Sequence, residues 1–218
     1  MIPTELDKIR QHLRRDPVLR PLIDELPYPD RRVHLSELYP ALLRSIVGQQ
    51  VSTKAAAAIY GRFLSSFDLD PTDPLAVPNP RVLAKAPTEQ LRQAGLSGSK
   101  ANYVRNLAEY FVNHPTAHND LVKLSDEALI KELCQIKGIG QWTVEMMLIF
   151  TLGRPDVLPL DDLAIYQSIL ELYDLPADTA KRKLKAQMTD LAEAWRPYRS
   201  HACLYLYAWR NQLRGKST

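Results

Sequence analysis

Apolar residues along this chain recur at steps of three and four, the spacing that lines one face of an α-helix. Ala41, Leu42, Ile46, the run from Ala55 to Ala58, Ile59 and Phe63 follow it, and Leu129, Ile130 and Leu133 repeat it. Val144, Met147, Leu148 and Thr151 form another stripe, as do Leu163, Ile165, Ile169, Leu170 and Tyr173. Further helices are expected over 181–195 and from about Tyr198 to Leu213. No stretch sustains a period of two, so the chain is predicted to be all-α.

Proline and glycine punctuate this pattern. The stretch Asp68–Pro80 (DLDPTDPLAVPNP) carries four prolines and is read as a non-helical connection. Pro115 and Pro159 mark breaks, while Pro176 and Pro197 are placed at first helical turns. Two short segments look related, AGLSGSKANYVRNL from Ala94 and IKGIGQWTVEMML from Ile136. Each sets a glycine-containing turn between helical patterns. Together they use Gly95, Gly98, Gly138 and Gly140, half of the 8 glycines.

At 218 residues, with 45% hydrophobic and 24% charged, the chain suits one large domain or two closely packed small ones with a real core. Those values exclude a disordered tail, a collagen-like repeat and a coiled-coil rod. No apolar run approaches the roughly 18 residues needed to span a bilayer. The N-terminus, MIPTELDKIRQHLRRD, lacks the apolar core of a signal peptide, so no membrane association is expected. Two cysteines, Cys134 and Cys203, are too few for a disulfide scaffold or a thiolate-held iron–sulfur cluster. A reducing, intracellular setting is expected.

The net charge of +3 matters less than its distribution. Thr116–Ala180 holds eleven acidic and four basic residues, whereas Lys181–Lys216 holds nine basic and two acidic. Trp195, Tyr198, Tyr205, Tyr207 and Trp209 interleave the basic end. Such a segment either faces a polyanion or is a solvated helix face over core aromatics.

The second turn is the sharpest chemical signal. Gly138 and Gly140 permit conformations and close approaches that a side chain obstructs. The N–H groups that open the following helix can then meet a phosphate at the positive end of the helix dipole, from Gly138, Gly140 and Gln141 onward. Such a hairpin can hold a nucleic-acid backbone without reading sequence, and the bare glycine pattern fits an ordinary αα-hairpin equally. Twenty residues after Trp142 come Asp161 and Asp162, between a proline-containing loop and an apolar helix. One carboxylate there is accounted for as an N-cap. Two are more than a cap requires, and the second can stabilise developing positive charge or orient water.

Four segments in order, LLRSIVGQQVSTKAAAAIYGRF, IKGIGQWTVEMML, DVLPLDDLAIYQ and WRPYRSHACLYLYAW, resemble the helix-hairpin-helix DNA glycosylase superfamily and its 3-methyladenine DNA glycosylase II branch. The resemblance covers about residues 35–212. It implies two all-α subdomains with a lesion-binding cleft between them, about 1–34 plus the C-terminal helices forming one and about 35–170 the other, within a single domain over 1–218. It makes Asp162 the catalytic aspartate and Asp161 its capping or structural neighbour. It implies a base pocket with Trp142 and Tyr207, an intercalating residue at Gln50, and a sodium or potassium ion on the main-chain carbonyls of Cys134, Ile136 and Ile139; no other cofactor is required.

This sequence departs from the family at Ala208, where a tyrosine is expected, and at Gln50, where a leucine is common. Trp142 replaces the Schiff-base lysine of the related strand-nicking enzymes, so hydrolysis without lyase activity is implied. Ser97, Gly98 and Lys100 become candidates for a second phosphate contact, and His201 for an interior or rim histidine. The implied partner is double-stranded DNA carrying alkylated bases, met by a monomer in the cytoplasm (nucleoid) of a bacterium or the nucleus of a eukaryote. A non-catalytic DNA-binding module of the same motif is the alternative; it leaves Asp162 and the aromatic residues without work.

Overall fold

The structure, a computed structural model, describes residues 4–29, 38–176 and 178–216. Among them are thirteen α-helices, one 3-10 turn and no strand. No helix of the described residues is long and apolar enough to cross a membrane. The chain divides into two compact units, one of Met1–Val33 with Leu148–Thr218, the other His34–Met147. The division falls at Met147, inside a helix, rather than near residue 170.

The first unit contains α1 (Glu5–Leu13), α2 (Leu19–Glu25), α11 (Leu163–Leu172), α12 (Lys181–Ala192), the 3-10 turn Glu193–Trp195 and α13 (Arg199–Lys216). Thr4 starts α1 with a capping box: its hydroxyl accepts the Asp7 N–H at 3.2 Å while Asp7 accepts the Thr4 N–H at 2.9 Å. Ile9, Leu13, Leu19 and Ile23 meet Ile165, Ile169, Met188 and Trp195 in one core. Asp16 ties its two chain ends together. Its Oδ2 accepts from Trp195 Nε1 at 2.8 Å and from the Tyr173 hydroxyl at 2.5 Å, and its Oδ1 accepts the Val18 N–H at 2.8 Å. Trp195 and Tyr205 are fully buried, so those two aromatics of the basic segment are core residues rather than a surface for a polyanion. Pro176 opens no helix; its carbonyl accepts the Thr179 N–H in a turn that precedes α12.

The second unit contains α3 (Leu38–Gly48), α4 (Thr53–Ser65), α5 (Pro80–Leu83), α6 (Thr88–Gln93), α7 (Gly98–Asn113), α8 (Ala117–Leu121) and α9 (Asp126–Leu133). The chain crosses to the first unit within α10 (Gln141–Phe150). Ser52, Ser97 and Ser125 cap α4, α7 and α9, each hydroxyl accepting the N–H three residues on at 3.2 Å. α7 packs against α3, α5 and α6; Val104 and Leu107 on α7 are buried, as are Leu42, Leu43 and Ile46 on α3, Leu83 on α5 and Leu91 on α6. The proline-rich connection from residue 68 is irregular up to Asn79, which caps α5, and Pro80 sits at that helix's first position.

Candidate functional site

In the second unit, α9 ends at Leu133 and is capped by Cys134, whose N–H reaches the Ile130 carbonyl at 3.0 Å. Two more turns follow, Ile136 N–H to Leu133 and Ile139 N–H to Ile136, before α10 starts at Gln141. Gly138 has φ +108°, and a Cβ there would lie 2.2 Å from the Tyr103 ring, so only glycine fits. Gly140 is different: a Cβ at that position meets no atom within 4 Å. At the start of α10 the Val144 N–H bonds to the Gly140 carbonyl at 3.2 Å, so Gly140 stands at the N-terminal, positive end of the helix dipole. The hairpin thus sets the N-terminal end of α10 beside an unobstructed glycine.

The loop between α3 and α4 joins this hairpin. Gln49 Nε2 donates to the Gly138 carbonyl at 3.0 Å. Gln50 is exposed and held at φ +56°, a left-handed conformation uncommon for a residue with a side chain. Gln50, Val51, Gly140 and Trp142 line one cavity of about 620 Å³. Trp142 keeps 41% of its surface exposed. Three of the residues singled out from sequence, Gln50, Gly140 and Trp142, therefore lie around one cavity.

One face of α7 supports both pieces. Tyr103 fills the space behind Gly138, and Asn106 Nδ2 donates to the Lys137 carbonyl at 3.2 Å. Lys100 Nζ donates to the carbonyls of Val47 at 2.8 Å and Gln49 at 2.7 Å. Burial pushes its ammonium pKa below the ordinary lysine value. The ammonium thus ties α7 to two main-chain carbonyls of the neighbouring loop. Ser97 is engaged as the α7 cap.

In the first unit, Asp162 is the N-cap of α11. Its Oδ1 accepts the N–H groups of Ala164 at 2.9 Å and Ile165 at 3.0 Å, and the residue is only 9% exposed. Of the two roles that the sequence left to Asp161, capping or structural neighbour, the structure gives it the second, an ion pair with the ammonium of Lys185. This division follows from the backbone, because Asp162 carries the extended φ −73°, ψ 122° that an N-cap adopts. Capping and catalysis are compatible in one carboxylate, since the two N–H bonds fix its direction.

The loop before it is pinned to α13. Arg199 donates to Asp156 through Nε at 2.8 Å and Nη2 at 3.1 Å, and Ser200 Oγ accepts the Val157 N–H at 2.9 Å. Leu163, next to Asp162, is 66% exposed. Tyr207 is half-buried on α13 with its ring centroid 6.1 Å from that of Phe150. His201 is buried, its Nδ1 2.6 Å from the Tyr28 hydroxyl, as an interior histidine should be.

Residues 43–197 match the family described as HhH-GPD superfamily base excision DNA repair protein. The chain belongs to this family. DNA-3-methyladenine glycosylase 1 of Schizosaccharomyces pombe is 37% identical to this HhH-GPD protein over 181 residues, 82% of this chain and 75% of its own. DNA-3-methyladenine glycosylase 2 of Escherichia coli K12 is 29% identical over 175 residues, 76% of this chain and 55% of its own. The S. pombe 3-methyladenine DNA glycosylase, solved in complex with abasic DNA, superposes with a TM-score of 0.75 at 34% identity, covering 92% of this chain and 95% of that one. A DNA-3-methyladenine glycosidase from Bacillus halodurans gives 0.77 at 32% identity, covering 95% and 91%.

Gln49, Lys100 and Tyr103 are the residues of this HhH-GPD chain that sequence reading left without these roles. Their contacts run to main-chain carbonyls or to a glycine, which no side-chain pattern marks.

Proposed function

We propose that this protein is a monofunctional DNA glycosylase that hydrolyses the N-glycosidic bond of cationic N-alkylpurines, such as 3-methyladenine and 7-methylguanine, in the base excision repair of double-stranded DNA. The observation that carries the reading is Asp162, a buried carboxylate fixed in direction by two backbone N–H groups. Family membership and the glycosylases among its relatives support the reaction class.

Alkylation leaves a purine with formal positive charge and a weakened bond to C1′. When that bond breaks, its electron pair neutralises the base and positive charge develops on the sugar. Asp162 stabilises that charge or orients the attacking water. Water oxygen then bonds to C1′ and releases a proton, leaving an abasic site. Trp142 offers the cationic base an aromatic face, and Tyr207 a second. Gln50 fills the gap that a flipped nucleotide leaves in the stack. The α10 N–H groups and Gly140 receive the DNA backbone.

A sodium or potassium ion suits the hairpin, because neutral main-chain carbonyls are oxygen donors for such cations. The setting is anionic: Glu145 is buried one helical turn into α10, and burial together with its charge raises the Cys134 thiol pKa. The carbonyls of Cys134, Ile136 and Ile139 would hold the ion; that of Ile136 also accepts the Ile139 N–H and keeps a second lone pair. When bound, the ion neutralises charge on a DNA phosphate. The protein acts as a monomer.

Asp162→Asn tests the assignment. It should abolish release of 3-methyladenine from alkylated duplex DNA while binding to the same DNA is kept. Asp161→Asn should keep most activity. Activity in the first variant and its loss in the second would overturn the choice of Asp162. Wild-type protein that binds duplex DNA and releases no base would leave a non-catalytic binding module. Trp142 carries no amine, so borohydride should trap no covalent protein–DNA adduct; trapping at the level of a true lyase would refute monofunctional hydrolysis.

A further inference from the structure

We propose that Lys100 is the positioning residue of the Gln50 loop: its ammonium locks the end of α3 so that Gln50 is presented to DNA before DNA arrives. The proposal rests on the reading of Gln50 as the residue that fills the emptied stack. Lys100 stands in the first turn of α7, where a cation opposes the helix dipole, so its placement does not serve α7 itself. It reaches instead to the carbonyls of Val47 and Gln49, the last turn of α3 and the residue beyond it. Those carbonyls lie at the negative end of the α3 dipole and have no helical donors left to meet.

A single ammonium thus joins the last turn of α3 to the residue just ahead of Gln50, whose φ of +56° is a conformation that surrounding structure must impose. The Gln49 side chain makes the other tie, to Gly138 of the hairpin. With Lys100 removed, the loop keeps its sequence and loses the contact that fixes where Gln50 points. Binding to the phosphates persists; insertion becomes one of several loop states, and duplex repair slows.

The test uses a duplex with 2-aminopurine opposite an abasic-site analogue, whose fluorescence reports a side chain entering the stack. At saturating wild-type protein the signal should change, and Gln50→Ala should lose that change. Lys100→Met should bind the duplex, lose most of the change even at saturation, and excise 3-methyladenine from duplex DNA about tenfold more slowly or worse. Lys100→Arg, which still donates to carbonyls, should recover both.

A lysine that serves stability alone would lower the melting temperature and leave the saturated signal intact. That result for Lys100→Met, with Gln50→Ala silent, overturns the proposal. Should Lys100→Met fail to fold by circular dichroism, Lys100→Arg decides: a folded arginine variant lacking the signal is equally fatal. If Gln50→Ala keeps the wild-type signal, the plug assignment itself has failed, which is a separately recognisable outcome.

Discussion

Two glycines two positions apart do different work, and substitution separates them. Gly138 is needed by the protein: its φ of +108° and the Tyr103 ring 2.2 Å from a Cβ leave no room for alanine. Gly138→Ala should cost on the order of 1–3 kcal/mol, read as a lower denaturant midpoint. Gly140 is open on the protein side, so Gly140→Ala should change stability little and weaken binding to any duplex by obstructing the backbone's approach. Equal stability loss in both variants would remove the argument that Gly140 is kept for a ligand. The aspartate pair divides in the same way. Asparagine caps helices about as well as aspartate, so Asp162→Asn should stay within a few tenths of a kcal/mol of wild type, whereas Asp162→Ala should lose about 0.5–2 kcal/mol. Asp161 holds a half-exposed ion pair with Lys185, worth at most about 1 kcal/mol.

Helices far apart in sequence are joined through buried polar contacts, and these carry a pH signature. Tyr173 donates to Asp16, and burial, then that hydrogen bond and the Asp16 charge, raise its pKa far above the ordinary tyrosine value. A raised folded-state pKa means stability is fully present below about pH 10 and is lost as pH rises beyond it, because the unfolded chain releases the proton first. Tyr173→Phe should therefore be less stable at pH 7 by about 1 kcal/mol and show a shallower decline in denaturant midpoint above pH 10. An unchanged decline would show that Asp16–Tyr173 is not the coupled pair. The same contact explains what sequence reading missed. Helices α3, α4, α9, α10 and α11 were legible because each buries a stripe of apolar residues at helical spacing. α1 and α2 have only nine and seven residues, and what orders them lies elsewhere, in a core completed by α12 and α13 and in an Asp16–Trp195 bond spanning 179 positions. The hairpin was legible because its turn demands glycine. Lys100 was not, since its partners are carbonyls 53 and 51 residues away, and every residue type supplies a carbonyl.

At the scale of the whole molecule, the basic end of the chain is partly neutralised within the fold. Arg196 and Arg199 are spent on Asp156, Arg210 on Glu171 and Lys185 on Asp161, while Arg182 and Lys183 stay exposed at the start of α12. The basic end thus keeps modest free charge, Trp142 is an exposed aromatic ring, and on the proposed function this combination bears on which lesions are taken. A positively charged base gains about 0.5–2 kcal/mol over a neutral one against an aromatic face, less where water reaches the ring, as it does at Trp142. The same base leaves C1′ without help from an acid. A neutral lesion such as hypoxanthine needs a proton delivered as it leaves, and His201, an imidazole suited by type to that task, has its Nδ1 committed to the Tyr28 hydroxyl. In the proposed pocket, Ala208, where the family resemblance implies a tyrosine, would offer less stacking surface and so less affinity for a base that brings no charge of its own. Under single turnover, 3-methyladenine and 7-methylguanine should therefore be excised faster than hypoxanthine by a wide margin, and Trp142→Ala should narrow that margin by slowing the charged substrates most. Equal rates for hypoxanthine and 3-methyladenine, or a Trp142→Ala variant that slows both equally, would remove the cation–π argument and the role given to Trp142 with it.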